Sequence, residues 1–140
     1  MLKFLVPIDG SETSARAAGH VVDKRAWYSA PVEVHLLNVQ HPLPNDVSRF
    51  IPQEEIKGFH HDAGIRALSA ARAKLEAGAI DHVFHISVGE PAHLIAHYAK
   101  ELGCDQIIMG SHGQGVAADA FGSVARRVIH LADVPVVLIK

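Results

Sequence analysis

The chain has 140 residues, enough for one domain spanning residues 1–140 with one buried core, but too few for a separate catalytic domain. Its 49% hydrophobic and 20% charged residues are typical of a folded, soluble protein, and no apolar run approaches the roughly 18 residues of a membrane span. Thirteen basic and fifteen acidic residues give a formal net charge of −2, which disfavours nucleic acid and anionic membranes as partners.

The first predicted strand covers Leu2–Ile8, a short run of large aliphatic residues that is typical of a strand buried on both faces. It ends at Asp9 and Gly10, and Ser11 is suited to cap a following helix. The buried face of that helix is predicted from apolar residues at helical spacing, namely Ala15, Ala18, Val21 and Val22. The chain therefore begins with a strand and a helix.

A second strand and a long helix follow. The segment Val32–Val39 is rich in β-branched residues, and the proline-containing segment after it, HPLPND, is predicted to be a loop. The long helix is expected to end at Gly78 in a left-handed cap. Its buried stripe is predicted to comprise Ile56, Phe59, Ala63, Ala67, Leu68, Ala71 and Leu75.

The second half of the chain repeats this alternation. His82–Val88 predicts a third strand, Pro91 is suited to the first turn of the next helix, and Gly103 ends that helix. Gln106–Met109 predicts a fourth strand, and Val134–Ile139 predicts a fifth. Between these two strands, the buried stripe of a last helix is predicted at Val124, Ala125, Val128, Ile129 and Ala132.

Five strands alternating with four helices predict an α/β fold with a parallel, doubly wound sheet, because right-handed crossovers place helices on both faces. Ligands of such sheets bind at the carboxyl ends of the strands, where the strand order reverses. The segments expected at that edge are Asp9–Ser11, Val39–His41, Val88–Pro91 and the chain from Met109 onward.

The glycine-rich segment Met109–Val124 is the strongest candidate site. Its glycines allow backbone N–H groups to converge on phosphate oxygens, and the helix that opens near Ser123 adds unpaired N–H groups and a positive dipole end. The segment contains no lysine or arginine between its ends. Phosphate charge would therefore be met by backbone dipoles, by the hydroxyls of Ser111 and Ser123, and by a divalent ion where one is bound.

The whole chain resembles the universal stress protein family. The resemblance is carried in order by LVPIDGSE, HLLNVQ, VGEPAHLIAHYA, DQIIMGSHG and FGSVARRVIHLADVPVVLIK. It implies a flavodoxin-like, three-layer α/β/α fold with a five-stranded sheet of order 3-2-1-4-5, which is a Rossmann-like adenine nucleotide-binding fold. It also implies a homodimer and, in one subclass, ATP held by a motif of the form G-x2-G-x9-G-S/T.

The same resemblance implies which residues bind the nucleotide. Pro7, Ile8 and Asp9 would lie by the adenine and ribose, and Val39 would contact the base. The ribose and phosphates would be lined by Met109, Gly110, His112, Gly113, Gly122, Ser123 and Val124. This sequence has eight residues between Gly113 and Gly122, one fewer than the family pattern. ATP is the expected ligand, with or without Mg²⁺ or Mn²⁺, and ADP and AMP also remain compatible.

Two other nucleotide or phosphate sites are disfavoured. Gly113–Ala118 matches a dinucleotide-binding fingerprint with Asp133 about twenty positions on, but Asp133 precedes the last strand and too little chain follows it. Asp9 is also placed like an acidic residue of a receiver domain. A receiver needs an aspartate at the end of strand three, where this chain has Ser87–Gly89.

The eleven histidines suggest a metal site, but no third ligand accompanies His93 and His97, which stand four residues apart on one predicted helix. We therefore interpret them as surface residues and expect no metal site, and His60–His61 and the pair His82 and His85 support no stronger interpretation. No dedicated catalytic base is identified. Only His112 is placed to move a proton near the phosphates.

These observations predict an adenine-nucleotide-binding, regulatory stress-response protein that acts as a dimeric switch with at most slow hydrolysis. The alternatives are a nucleotide-independent dimeric interaction module and, less favoured, a true ATPase. The apolar terminal strand Val134–Lys140 is expected to pair with a second copy at the sheet edge. A single cysteine, Cys104, and an amino terminus without a signal-peptide pattern favour the cytoplasm.

Overall fold

A computed structural model of the chain describes residues 1–112 and 122–140. Strands and helices alternate along the sequence except between the second and third strands, where two helices follow each other, and a short 3₁₀ turn, Arg25–Trp27, follows the first helix. The elements are β1 (Leu2–Pro7), α1 (Glu12–Lys24), β2 (Val32–Gln40), α2 (Asn45–Ser48), α3 (Gln53–Ala77), β3 (Asp81–Val88), α4 (Pro91–Glu101), β4 (Gln106–Gly110), α5 (Ser123–Leu131) and β5 (Val136–Ile139).

The five strands form one parallel sheet in the order β3-β2-β1-β4-β5, so the predicted flavodoxin-like sheet is confirmed. The register runs from Leu2 opposite Val32 to Pro7 opposite Leu37 along β1 and β2. After β3 the chain crosses to the other side of β1, where β4 pairs with it. The strand order therefore reverses between β1 and β4, and a ligand crevice is expected at the carboxyl ends of these two strands.

Each face of the sheet is covered by a different pair of helices. Phe4, Val34 and Leu36 point into a core that contains Leu68 and Leu75 of α3. Their neighbours along the strands point the opposite way, because side chains alternate across a strand. That second core contains Leu5, Leu37, Ile95, Ile107 and Val128. The two cores on either side of the sheet confirm the three-layer α/β/α architecture.

Two local predictions are wrong. The HPLPND segment is not entirely loop, because its last two residues begin the single-turn helix α2. Gly78 ends α3 but has a φ of −85°, and the left-handed position falls on Ala79 at a φ of +55°. Gly78 is instead required for close packing, since a Cβ there would lie 2.6 Å from Cγ1 of Val22.

The predicted helix stripes also differ in detail from the observed ones. Phe59 of α3 and Ile129 of α5 are half exposed, whereas the polar His60 is buried on the inner face of α3. The same face carries Gly64, where a Cβ would lie 2.6 Å from Cδ1 of Ile86. The close approach of α3 to β3 thus uses small and polar residues that an apolar pattern does not identify. None of the described helices combines the length and hydropathy that crossing a bilayer demands.

Candidate functional site

A cleft of about 480 Å³ opens at the carboxyl ends of β1, β2 and β4, where the strand order reverses. Its walls come from these strand ends and from the first turns of α4 and α5. The lining residues are Pro7, Ile8, Asp9, Ser14, Leu37, Asn38, Val39, Gln40, His41, Pro91, Ile95, Met109, Gly110, His112, Gly122, Ser123, Val124 and Ala125. The volume is that of a site for a small organic ligand.

The end of β1 forms a rigid turn into α1. The Asp9 carboxylate accepts a hydrogen bond from the backbone N–H of Ser11 at 2.9 Å, and Gly10 between them has a φ of +88°. Ser11 caps α1 by accepting a hydrogen bond from the N–H of Ser14 at 3.2 Å, as predicted. Only one oxygen of the exposed Asp9 carboxylate accepts this turn bond, so the other is available to a hydroxyl or a cation in the cleft.

The end of β2 carries a buried amide network. Nδ2 of Asn38 donates to the carbonyl of Ile8 at 2.9 Å, and Oδ1 of Asn38 accepts from Nε2 of Gln40 at 2.7 Å. His60 then lies 3.4 Å from Oε1 of Gln40 through its Nδ1. The network ties the ends of β1 and β2 to α3. It thereby fixes the wall on which Val39 lies.

The end of β4 is held against α1. A Cβ at Gly110 would lie 2.9 Å from Cγ2 of Thr13, so the close contact requires glycine. Both ring nitrogens of His112 are engaged: Nε2 lies 3.1 Å from Oγ1 of Thr13 and Nδ1 lies 3.3 Å from Oγ of Ser111. The guanidinium of Arg16 donates to the same Thr13 oxygen at 3.0 Å. His112 is therefore oriented by hydrogen bonds at the edge of the cleft.

The amino terminus of α5 supplies the donors of the site. The N–H of Gly122 donates to the carbonyl of Ser111 at 2.7 Å, which holds the start of the helix beside the end of β4. Gly122 is the N-cap residue, and no described side chain caps it. Within residues 1–112 and 122–140, the N–H groups of the first turn, at Ser123, Val124 and Ala125, thus remain available to an acceptor. Such a helix end attracts anions through these N–H groups and its dipole.

Helix α4 closes the other side of the cleft through Pro91 and Ile95. Its N-cap residue Glu90 accepts a hydrogen bond from the N–H of His93 at 2.8 Å and from Arg127 of α5 at 2.7 Å. The hydrogen bond from His93 lowers the pKa of Glu90, and Arg127 contributes in the same direction. The ion pair connects the two helices that flank the cleft.

Ten of the eleven residues that the sequence predicted for the site line this one cleft. They are Pro7, Ile8, Asp9, Val39, Met109, Gly110, His112, Gly122, Ser123 and Val124. Gly113 and the shortened spacing between Gly113 and Gly122 lie outside the described residues. The prediction missed Asn38 and Ile95, although a polar residue within the otherwise apolar second strand was a visible signal for Asn38.

Among the described residues, the histidine pair on α4 does not form a metal site. His93 lies 3.3 Å from the guanidinium of Arg127 and pairs with Glu90 rather than with His97. Across residues 1–112 and 122–140, no group of three or more metal-ligating side chains converges. One histidine contact was not predicted at all. Nδ1 of His35 on β2 lies 3.0 Å from Nε2 of His85 on β3.

Comparison with known proteins gives a family match along the whole chain. Residues 1–140 match the model of the universal stress protein family. The universal stress protein YxiE of Bacillus subtilis is 31% identical over 147 residues, covering 99% of this chain and 98% of YxiE. The solved structure of MJ0577, a universal stress protein of Methanocaldococcus jannaschii, superposes with a TM-score of 0.84 at 31% identity, covering 99% of this chain and 95% of that one.

Two more distant solved structures contain nucleotides. The universal stress protein of Archaeoglobus fulgidus in complex with dAMP has a TM-score of 0.66 at 24% identity, covering 100% of this chain and 98% of that chain. A family member from Arabidopsis thaliana with AMP bound has a TM-score of 0.71 at 20% identity, covering 100% and 92%. At these identities the likeness establishes a shared fold.

Proposed function

Since the chain belongs to the universal stress protein family, we propose that it binds an adenine nucleotide in the cleft at the ends of β1, β2 and β4. One observation carries the proposal: the cleft combines apolar walls with N–H groups of a helix terminus that no described side chain caps. Apolar walls suit a purine base, and a helix terminus suits phosphate. The dAMP and AMP in the two more distant structural neighbours support the same ligand class.

Each end of the ligand would meet a different set of residues. We assign the base to the walls formed by Pro7, Ile8 and Val39, and the ribose to the Asp9 carboxylate. The phosphates would lie against Gly110, Gly113 and the first turn of α5, with Met109, His112, Gly122, Ser123 and Val124 completing this end. No lysine or arginine appears among the residues that line the cleft. Backbone dipoles and a bound Mg²⁺ or Mn²⁺ would then balance the phosphate charge.

ATP is the ligand that we propose, with ADP and AMP as the direct competitors. The protein would act as a regulatory stress-response switch in the cytoplasm. The described cleft presents groups for binding a nucleotide but no dedicated base for its hydrolysis. Any ATP hydrolysis would be slow. We further propose a homodimer formed through Val134–Lys140, because β5 lies at an edge of the sheet and carries apolar side chains.

The test is calorimetric titration of the nucleotide-free protein with ATP, ADP and AMP, with and without Mg²⁺. Ser123→Asp places a negative charge in the first turn of α5, where it favours the helix but repels phosphate. We expect this variant to bind ATP at least about tenfold more weakly, and AMP to be affected less than ATP. The matched control is Ser69→Asp, an identical charge change at an exposed position of α3.

The outcome also separates nucleotide binding from the alternative, a dimeric interaction module that binds no nucleotide. No heat with any of the three nucleotides, together with no nucleotide released from the denatured purified protein, would contradict nucleotide binding. Equal weakening in Ser123→Asp and Ser69→Asp would contradict the placement of the phosphates. Magnesium-dependent turnover that Asp9→Ala abolishes would favour an ATPase instead.

A further inference from the structure

Three hydrogen-bonded side chains lie outside the nucleotide cleft, on β2 and β3. Oε1 of Glu33 lies 2.7 Å from Nε2 of His35, and Nδ1 of His35 lies 3.0 Å from Nε2 of His85. The two imidazole rings are nearly coplanar, with an interplanar angle of 14° and ring centroids 5.3 Å apart, so the two nitrogens meet head-on. This is the geometry of an N–H···N hydrogen bond, in which one proton lies between two nitrogens. None of the three side chains lines the cleft.

The hydrogen bonds determine where the protons of the neutral pair lie. A carboxylate only accepts hydrogen bonds, so the bond to Glu33 holds the proton of neutral His35 on Nε2 and leaves a lone pair on Nδ1. That lone pair accepts from the Nε2–H of His85, whose own lone pair is then on Nδ1. A first added proton on Nδ1 of His85 leaves both bonds intact. Transfer of the bridging proton to His35 then moves the positive charge next to Glu33.

A second added proton has no such place. It would put hydrogens on both of the facing nitrogens, which are only 3.0 Å apart, and would set two imidazolium rings against each other. The hydrogen bond between the rings would be lost, and the like charges would repel. We propose that Glu33, His35 and His85 form a proton-binding site that holds one proton and excludes a second. The site makes the fold sensitive to mild acid.

Helix α4 covers His85 without bringing a carboxylate to it. The ring of Tyr98 lies against His85 with centroids 5.4 Å apart, and His97 lies edge-on to the other side of Tyr98. Burial lowers the pKa of His85, and the adjacent His35 lowers it further. The geometry requires the same direction, because the second proton to enter must share the site with the first.

The charges on the other side of the site leave Glu33 as its counter-charge. Lys3 of β1 and Asp105, just before β4, act together with Glu33 on the nearby thiol of Cys104. Burial raises the pKa of that thiol to about 11, so Cys104 stays uncharged. Lys3 and Asp105 carry opposite charges that largely offset each other. One carboxylate therefore balances the two histidines, which suits a single bound proton.

Exclusion of the second proton makes stability depend on pH. In the unfolded chain both histidines bind a proton below their ordinary pKa of about 6.5. From this pH down to the lowered pKa of His85, the unfolded chain binds more protons than the folded protein. The stability that is present above this window is therefore lost as the pH falls through it. Each pH unit within the window favours unfolding by up to about tenfold.

Imidazole ¹⁵N spectra of the unmodified full chain, recorded without nucleotide from about pH 8 to pH 4, test the site directly. We expect a ¹⁵N–¹⁵N coupling through the hydrogen bond between Nδ1 of His35 and Nε2 of His85. At the alkaline end, both rings should carry their proton on Nε2. The pair should then take up one proton, and a second only below the ordinary histidine pKa. Absence of the coupling, or uptake of both protons together near pH 6.5, would overturn the proposal.

Urea unfolding between about pH 8 and pH 5 tests the consequence for stability. His85→Gln keeps an N–H donor for Nδ1 of His35 but binds no proton, so it should remove the loss of up to about tenfold per pH unit. The matched control is His61→Gln, which removes an exposed histidine of α3 and should leave the pH dependence unchanged. An unchanged pH dependence in His85→Gln, or an equal reduction in both variants, would overturn the proposal. Because nucleotide is omitted, each of these results is independent of the proposed function.

Discussion

The end of α3 places its backbone strain on an alanine. Ala79 has a left-handed φ of +55°, which costs a non-glycine residue about 1–2 kcal/mol, whereas the adjacent Gly78 has an ordinary φ. The N–H of Ala79 donates to the carbonyl of Glu76, and the N–H of Ile80 donates to the carbonyl of Leu75. The helix end is therefore well hydrogen-bonded despite the unfavourable residue.

We predict opposite effects of exchanging glycine and alanine at these two positions. Ala79→Gly should raise the free energy of unfolding by about 1 kcal/mol by removing the left-handed strain. Gly78→Ala should lower it by about 1–3 kcal/mol, because the added methyl group collides with Val22. Urea unfolding monitored by circular dichroism measures both changes. A destabilised Ala79→Gly protein would contradict this explanation of the helix end.

Asn38 is expected to be the most sensitive polar residue of the cleft wall. It is 2% exposed and bonded to both the Ile8 carbonyl and the Gln40 side chain, so Asn38→Ala leaves these two groups without their partner. We predict a loss of about 2–3 kcal/mol in the free energy of unfolding. Gln40→Ala is the control, since it leaves the bond of Asn38 to the Ile8 carbonyl in place and removes only the bond to Asn38 and the longer, 3.4 Å contact with His60, so it should cost less. Similar losses for both variants would contradict the central role of Asn38.

At the residue scale, the sequence predicted which residues line the cleft better than it predicted the contacts between their side chains. The strand ends and the glycine motif were identifiable because adjacent residues define them. The contact of His35 with His85 joins side chains 50 positions apart, and its formation depends on the register of β2 against β3. No local pattern contains that register. Gly78 was predicted to adopt a left-handed backbone conformation for the same reason, because its observed role depends on a contact with Val22, which is distant in the sequence.

Helix α4 depends on a charged cap, which gives it a pH dependence of its own. Its N-cap Glu90 has a lowered pKa, chiefly because its carboxylate accepts a hydrogen bond from the N–H of His93. A carboxyl group with a lowered folded-state pKa stabilises the fold above its unfolded-state pKa of about 4.3. That stabilisation is lost as the pH falls from this value through the lowered one.

We predict that Glu90→Gln flattens this acid limb of the stability curve, while stability at neutral pH falls only slightly because Gln still accepts the capping bond. Urea unfolding between neutral pH and about pH 3 measures the difference. Arg127→Ala should raise the Glu90 pKa only part of the way to its ordinary value, since the helix N–H bond remains. A carboxyl NMR titration of Glu90 that gives an ordinary pKa in the unmodified protein would contradict this account.

At the scale of the elements, periodicity predicted the strands and the longer helices within a few residues. It did not predict α2, because a proline-rich segment reads as loop and a single turn of helix has no period of its own. It also placed Phe59 in the buried stripe, whereas the observed α3 turns His60 and Gly64 inward. Tertiary packing against β3 decides that rotation, and the packing is not a local property.

The molecule as a whole presents one apolar sheet edge that suits pairing with a second copy. The carbonyl of Pro135 accepts from the N–H of Ile107 in β4, and that of Ile139 accepts from Ser111 just after β4. The backbone groups of the alternating residues Val136 and Leu138 therefore point away from the sheet. Leu138→Pro removes one of these outward N–H groups while leaving the bonds to β4 in place. We predict a dimeric mass for the unmodified protein and a monomeric mass for this variant by light scattering.

The control for the sheet edge is His82→Pro on β3, the opposite edge. The N–H of Gly89, just after β3, donates to the Gln40 carbonyl of β2. Successive backbone N–H groups of a strand point alternately toward and away from the neighbouring strand, so the N–H of His82, an odd number of residues earlier, points away from β2. This variant should remain dimeric. A monomeric unmodified protein at several concentrations, or a monomer produced equally by both proline substitutions, would contradict pairing through β5.

The alternation of strands and helices predicted the parallel, doubly wound class, but not the order in which the strands lie. Crossovers from one side of β1 to the other leave no mark on local periodicity, so the order 3-2-1-4-5 came from the family resemblance. The reversal between β1 and β4 then determined where the cleft would lie. Strand order therefore connects the fold to the site, and local patterns alone do not supply it.

The 2.7 Å hydrogen bond from the N–H of Gly122 to the carbonyl of Ser111 fixes the two cleft walls relative to each other. Their positions therefore do not depend on how many residues connect them. Both anchor residues belong to the sheet-and-helix frame, and the entropy of closing a chain segment grows slowly with its length, by about 0.6 kcal/mol for each doubling. Relatives can therefore gain or lose residues there without rebuilding the frame. The eight-residue spacing in this chain is one such length variant.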